Sequence, residues 1–155
     1  MESEYPVWYR NNQRVLIRCP SLTKLVWERV KGHLKFTDIQ NRRPFGFNNE
    51  GYWVPVTINE VIKVSKYSLG SYFSKHIDGN FLLSEDLRSV FTVIIYLNDD
   101  FDGGETKLYL GGTPEQSNLV RPATGKILIF NHDLPHESER LTKGTKYIIR
   151  TEILF

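Results

Sequence analysis

Apolar residues recur at helical intervals only once in the first third of the chain. In "SLTKLVWERVKGHL", Leu22, Leu25, Val26, Val30 and Leu34 follow a 3.6-residue period, which predicts an amphipathic helix with Ser21 as its N-cap. Its stripe reads as core contact rather than as a groove for a partner. The next stretch, "NRRPFGFNNEGYWVP", mixes Asn, Gly and Pro with aromatics and predicts a long loop, alone or with short strands. From residue 56 the pattern becomes β. "VTINEVIKVSKYS" is a candidate strand pair, and "SVFTVIIYL" is a β-branched and aromatic run. "ETKLYL", "GKILIF" and "TKYIIRTEILF" follow as further strands, with "NDDFDGG" and "GGTPEQSN" as turns. Short strands separated by such turns predict an all-β barrel or sandwich with one helix in front.

Length and composition narrow this picture. The 155 residues suit one domain, expected to span 1–155, with 1–55 as a supporting helix and loop region and 56–155 as the β core. There is no internal repeat, and Phe155 follows the last strand directly, so the chain reads as a minimal unit. Apolar residues at 40% and charged residues at 25% are ordinary for a soluble globular protein. A formal net charge of +2 is too mild to argue for nucleic acid, though it does not exclude it. The basic clusters "RNNQRVLIR" and "NRRPF" read as solvated faces. The one cysteine, Cys19, has no partner for an internal disulfide. No apolar run approaches the roughly 20 residues of a membrane span, and "MESEYPVWYR" is not a signal peptide. A reducing interior, cytoplasmic or nuclear, is expected, and no motif specifies an oligomeric state.

The chemistry begins at "FSKHIDGNF". On a strand, His76 and Asp78 point to the same face, as two ligands of a two-His, one-carboxylate metal site would. Asp78-Gly79 is equally an ordinary turn dipeptide. The other histidines are His33, His132 and His136. His33 reads as a polar residue near the helix end. The i, i+4 spacing of His132 and His136 would suit a helical metal pair, but Pro135 and the turn formers Asn131 and Asp133 argue against a helix. One of the two is then a ligand and the other a loop residue. On the last strand Lys146, Ile148, Arg150 and Glu152 share one face, and Tyr147, Ile149, Thr151 and Ile153 the other. The chain carries no Ser-His-Asp or Cys-His nucleophile set.

The order and spacing of "KVSKYSLGSYFSKHIDG", "FTVIIYLNDDFDGGETKLY" and "RPATGKILIFNHDLPHESERLTKGTKY", with the final strand, resemble the Fe(II)- and 2-oxoglutarate-dependent oxygenases, in their prolyl 4-hydroxylase-like branch. The resemblance covers roughly residues 61 to 155. It implies a double-stranded β-helix (jelly roll) and iron ligands at His76, Asp78 and His136. It also implies a cation for the far carboxylate of 2-oxoglutarate, with Lys146 favoured over Arg150. Arg grips a carboxylate in bidentate fashion and Lys as a point charge, so either serves; the other would pair with Glu152 or reach substrate. Tyr96, Tyr67 and Thr106 are matched to positions lining the cosubstrate pocket. The implied reaction hydroxylates a C–H bond of a peptide or protein side chain, or of a small molecule, consuming O2 and releasing succinate and CO2, with ascorbate as reductant. Two rival readings are a non-catalytic binding module on the same fold and a cupin-like metal enzyme with non-oxidative chemistry. The segments "RRPFGFNNEGYWVP" and "GNFLLSEDLRS" are expected to border the entrance, with Arg42, Arg43, Asn48, Trp53 and Arg88 as candidate substrate contacts.

Overall fold

The computed structural model describes residues 6–35, 39, 43–48, 50–111 and 116–155. Its larger sheet is built on two long strands, β6 (Leu87–Tyr96) and β13 (Lys146–Leu154), the two richest β-branched and aromatic runs. They pair antiparallel, with Ile149 opposite Ile95 and Ile153 opposite Phe91. β13 also pairs with β3 (Val61–Tyr67) and with the short β2 (Thr57–Ile58). β1 (Gln13–Arg18) extends the sheet beyond β3, while β10 (Ile127–Asn131) and β5 (Leu82–Ser84) extend it at β6. A second sheet runs in the order β4 (Phe73–His76), β11 (His136–Ser138), β8 (Thr106–Tyr109), β9 (Ser117–Val120). A small ribbon pairs β7 (Asp102–Gly103) with β12 (Leu141–Lys143).

Strand alternation divides the core in two. Phe91 and Val93 of β6 and Ile153 of β13 face α1 (Pro20–Val30) and pack with Val26, Val30, Ile58 and Phe155. Ile94, Tyr96 and Ile148 face the other way and pack with Leu108 of the second sheet, Phe130 and Leu141. The two sheets therefore stack face to face, with the helix behind the larger one. This is the expected mainly β, double-stranded β-helix arrangement, formed by separate sheets rather than one closed barrel. No helix among the described residues is long and apolar enough to cross a membrane.

Several expectations need correction. Ser21 is not the helix cap: Cys19 is, with no side-chain hydrogen bond, because Pro20 occupies the first helical position, where its missing N–H costs nothing. Leu25 lies off the packed stripe, which consists of Leu22, Val26, Val30 and Leu34. The two strands of "VTINEVIKVSKYS" do not pair with each other; each pairs with β13. Asn59 holds the break between them, its side chain bonding Glu152 and the Val61 N–H. The basic stretch "RNNQRVLIR" contributes the edge strand β1, and Ser117–Val120, placed partly in a turn from sequence, is the strand β9.

Ile153 is 0% exposed and sits on the helix side of β13. Ile153→Ala is expected to cost about 2–5 kcal/mol, read as a lower urea midpoint. Leu25→Ala, at a side chain 49% exposed, is expected to stay within about 0.5 kcal/mol of the parent.

Candidate metal and cosubstrate site

β4 and β11 lie side by side with His76 directly opposite His136, so the two rings meet at a centroid distance of 4.2 Å. β4 ends at His76, and Ile77 turns outward. Asp78 is thus beyond the strand rather than on it, as the i, i+2 reading had it. Its backbone N–H donates to the His132 carbonyl at 3.2 Å, and its buried carboxylate turns in toward both rings. Oδ1 lies 3.8 Å from His76 Nε2, and Oδ2 lies 3.6 Å from His136 Nε2. One ligand atom from each residue falls within 4.8 Å of the others.

Local hydrogen bonds set which nitrogens face inward. His76 Nδ1 donates to the Ser74 carbonyl at 2.7 Å, and His136 Nδ1 to the Leu134 carbonyl at 3.0 Å. A carbonyl only accepts, so both Nδ1 atoms carry the proton and both Nε2 atoms present lone pairs. His76 Nε2 is buried and has no hydrogen-bond partner among the described residues. Burial, then the neighbouring His136, pushes His76 down to about 4, and burial lowers His136 as well. Burial alone would raise Asp78, but the Arg150 guanidinium beside it, with His136 and the Thr92 hydroxyl, outweighs that and holds it low. Two neutral imidazoles and an ionised carboxylate aimed at one point are deprotonated ligands. Two His and one carboxylate suit Fe(II) with open positions, so the residues fit such an ion.

A partly open cavity adjoins this cluster, lined by Tyr67, Phe73, His76, Ile94, Thr106, His136, Ser138, Lys146, Ile148 and Arg150 among others. Lys146 is 1% exposed at its inner end. Its Nζ donates to the Gly104 carbonyl at 2.5 Å and to Ser138 Oγ at 2.9 Å, and lies 4.8 Å from the Tyr67 ring centroid. Its direct partners are that carbonyl and hydroxyl rather than a carboxylate; the more distant Glu105 carboxylate favours the charged form, but burial outweighs it and pushes the amine down to about 7. Gly104 takes a φ of +67°, and a side chain there would press on Leu141 and on the Lys146 stem. Tyr67 and Thr106 line this cavity; Tyr96, expected there, is fully buried behind it and reaches it only through Thr106, to whose Oγ1 it donates at 2.7 Å.

The two cations left open by the sequence are thereby distinguished. Arg150 Nη1 pairs with Asp78, not with Glu152. Glu152 is held by Lys63 and by Asn59 Nδ2. Phe73 stacks on His76 with centroids 3.6 Å apart and fixes the ring plane. His132 lies in the turn after β10, a loop position as expected with His136 as the ligand, but it is buried, and its Nδ1 lies 2.9 Å from Thr92 Oγ1. Thr92 in turn donates to Asp78 Oδ2 at 2.5 Å. Sequence reasoning missed Thr92; the available signal was a threonine set among apolar residues on the same face of β6 as Ile94 and Tyr96.

The candidate substrate contacts fall elsewhere. Arg42 lies outside the described residues. Arg88 is 3% exposed, donates to the Phe45 carbonyl at 3.0 Å and stacks over Trp53 at 5.1 Å, so this pair braces the 43–47 loop. Asn48 is exposed and reaches Glu85 at 3.4 Å. None of the three lines the cavity beside His76 and His136. Arg43 lines a second cavity with Phe45, Phe47, Asn80 and His132. His33 is exposed in the 3-10 turn Lys31–His33.

Comparison with known proteins places this geometry. A curated protein of Fowlpox virus (strain NVSL), described as uncharacterized, is 26% identical over 99 residues, 64% of this chain and 22% of that one. The chain thus spans about a fifth of the length of that relative. A Pseudomonas putida prolyl-4-hydroxylase structure aligns at a TM-score of 0.64 and 15% identity, covering 94% of this chain and 70% of that chain. The viral collagen prolyl hydroxylase from Paramecium Bursaria Chlorella virus-1 aligns at 0.61 and 18% identity, covering 94% and 80%. A prolyl hydroxylase from Trichoplax adhaerens, in complex with a hypoxia inducible factor oxygen degradation domain peptide fragment, aligns at 0.63 and 19%, covering 93% and 63%. The family model of the 2OG-Fe(II) oxygenase superfamily matches residues 62–151, more than half of the sequence, and the chain belongs to that superfamily.

Proposed function

We propose that this protein is a 2-oxoglutarate-dependent hydroxylase that holds Fe(II) through His76, Asp78 and His136 and acts on a peptide or protein side chain, as prolyl hydroxylases do. The observation that carries the reading is the pairing of two features. Ligand atoms of His76, Asp78 and His136 converge in a buried cluster in which His76 Nε2 has no hydrogen-bond partner, and the buried amine of Lys146, held by a carbonyl and a hydroxyl rather than by an ion pair, stands in the same cavity. The first asks for a cation and the second for an anion, and a metal-chelating dicarboxylate meets both demands. The peptide substrate is inferred from the prolyl hydroxylases of similar fold, one of them seen with a peptide.

When bound, Fe(II) with 2-oxoglutarate and O2 supplies the oxidising chemistry that converts C–H to C–OH with release of succinate and CO2. The chain's own residues hold and shield that chemistry. His76 and His136 are oriented by the Ser74 and Leu134 carbonyls, and Asp78 by Thr92 and Arg150. Lys146 neutralises the far carboxylate, with Thr106 beside it and Tyr96 behind Thr106. Tyr67, Phe73, Ile94 and Ile148 supply apolar surface that excludes water from the cavity.

Purified protein given Fe(II), ascorbate and 2-oxoglutarate in air is expected to form succinate slowly without added substrate, and His136→Ala protein is not. A 2-oxoglutarate-dependent gain of one oxygen atom in one component of a peptide pool would identify the substrate. Failure of the protein to take up iron would favour the non-catalytic binding module. Metal-dependent turnover that needs neither O2 nor 2-oxoglutarate would favour the cupin-like reading.

A further inference from the structure

We infer that His132 is a positioning residue for the proposed metal site: its Nδ1–H locks the Thr92 hydroxyl as a one-way donor to Asp78. The inference rests on the reading of His76, Asp78 and His136 as metal ligands. Thr92 has one hydroxyl proton and two polar neighbours, Asp78 Oδ2 at 2.5 Å and His132 Nδ1 at 2.9 Å. An ionised carboxylate only accepts, so the proton goes to Asp78. The Thr92 oxygen must then accept from His132, and Nδ1 carries the hydrogen. In the opposite tautomer a bare nitrogen would face an oxygen with no proton to give.

The backbone of His132 is held on both sides. The His132 N–H donates to the Val90 carbonyl at 3.1 Å, and the His132 carbonyl accepts from the Asp78 N–H at 3.2 Å. One residue thus fixes both the backbone of Asp78 and, through Thr92, one of its carboxylate oxygens. Arg150 fixes the other oxygen, so the carboxylate cannot rotate away from the two Nε2 atoms. His132 is 1% exposed, and its Nε2 has no partner. With the hydrogen on Nδ1, no buried N–H of the ring is left without an acceptor, which agrees with the tautomer that Thr92 requires.

Fe(II) titrated anaerobically into the folded proteins tests this. His132→Phe, which keeps a ring but no donor, and Thr92→Val are each expected to weaken Fe(II) binding about 10- to 100-fold. His132→Asn, whose amide N–H can stand where Nδ1–H stood, is expected to recover most of that affinity. Adding His132→Phe to Thr92→Val is expected to cost little more, because His132 acts through Thr92. Multiplying losses, or a His132→Phe protein that binds Fe(II) like the parent, would overturn the inference while leaving the metal site standing. Parent protein that binds no Fe(II) overturns both. Nitrogen NMR of the His132 ring in the parent protein is a readout that needs no variant: a proton on Nδ1 is expected, and a proton on Nε2 refutes the chain.

Discussion

Asp78→Ala is expected to abolish Fe(II) binding and also to destabilise the metal-free protein by about 2–4 kcal/mol, whereas His76→Ala abolishes binding at a smaller cost in stability. The difference lies in what each side chain does without an ion. Asp78 accepts from Thr92 and is paired with Arg150, whose side chain is 19% exposed. Alanine there leaves a largely buried guanidinium without its carboxylate and a buried hydroxyl without its acceptor. His76 offers an Nε2 with no hydrogen-bond partner, and its truncation forfeits mainly the stack on Phe73. Urea unfolding in chelator reads the stabilities, and anaerobic titration reads the metal. Equal metal-free stability of the two variants, or Fe(II) retained by Asp78→Ala, would show that the acid–guanidinium pair and the metal cluster have been misread.

Lys146→Met is expected to weaken 2-oxoglutarate binding to Fe(II)-loaded protein by about 2–5 kcal/mol, and Arg150→Met by less. The Lys146 amine is buried and feels the Glu105 carboxylate only from a distance, whereas Arg150 is paired directly with Asp78. The sign of the pH dependence follows. Burial holds the amine at about 7 in the empty protein, and an arriving carboxylate raises it. At pH 8 binding then takes up a proton, and affinity falls as pH rises above 7; near pH 6 the amine is already charged and uptake vanishes. Calorimetry in two buffers of different ionisation enthalpy measures this directly, and Lys146→Met abolishes it.

The same variant is expected to stabilise the metal-free protein. The amine drops from 10.5 when exposed to about 7 when folded, so its burial penalty is on the order of 5 kcal/mol below pH 7 and fades as pH rises toward 10.5. Lys146→Met removes that penalty, and the gain in urea midpoint is larger at pH 6 than at pH 9. A Lys146→Met protein with unchanged cosubstrate affinity and no gain in stability would mean that Lys146 is an ordinary strand residue.

The sequence by itself determined whatever depends on neighbours along one strand. The parity of β13 put Lys146, Ile148, Arg150 and Glu152 on one face, and the cavity lies on that face. The β-branched runs marked the two central strands, and the order of the His, Asp and Lys positions carried the family resemblance. What only the tertiary structure decided depends on pairing between distant segments. His136 reaches the cluster because β11 pairs with β4 in a register that sets it opposite His76, and no spacing in "NHDLPH" encodes that register. His132, four residues away, is turned by the same backbone onto Thr92 of another strand. Arg150 and Lys146 share a face, but only the folded chain sets a carboxylate directly against one and gives the other a carbonyl and a hydroxyl as its direct partners. Arg88 and Trp53, polar and aromatic in a loop-rich context, looked like rim residues until burial showed them stacked together under the loop. Periodicity reports which way a side chain points; register and burial, set by contacts across the whole chain, decide what it meets there.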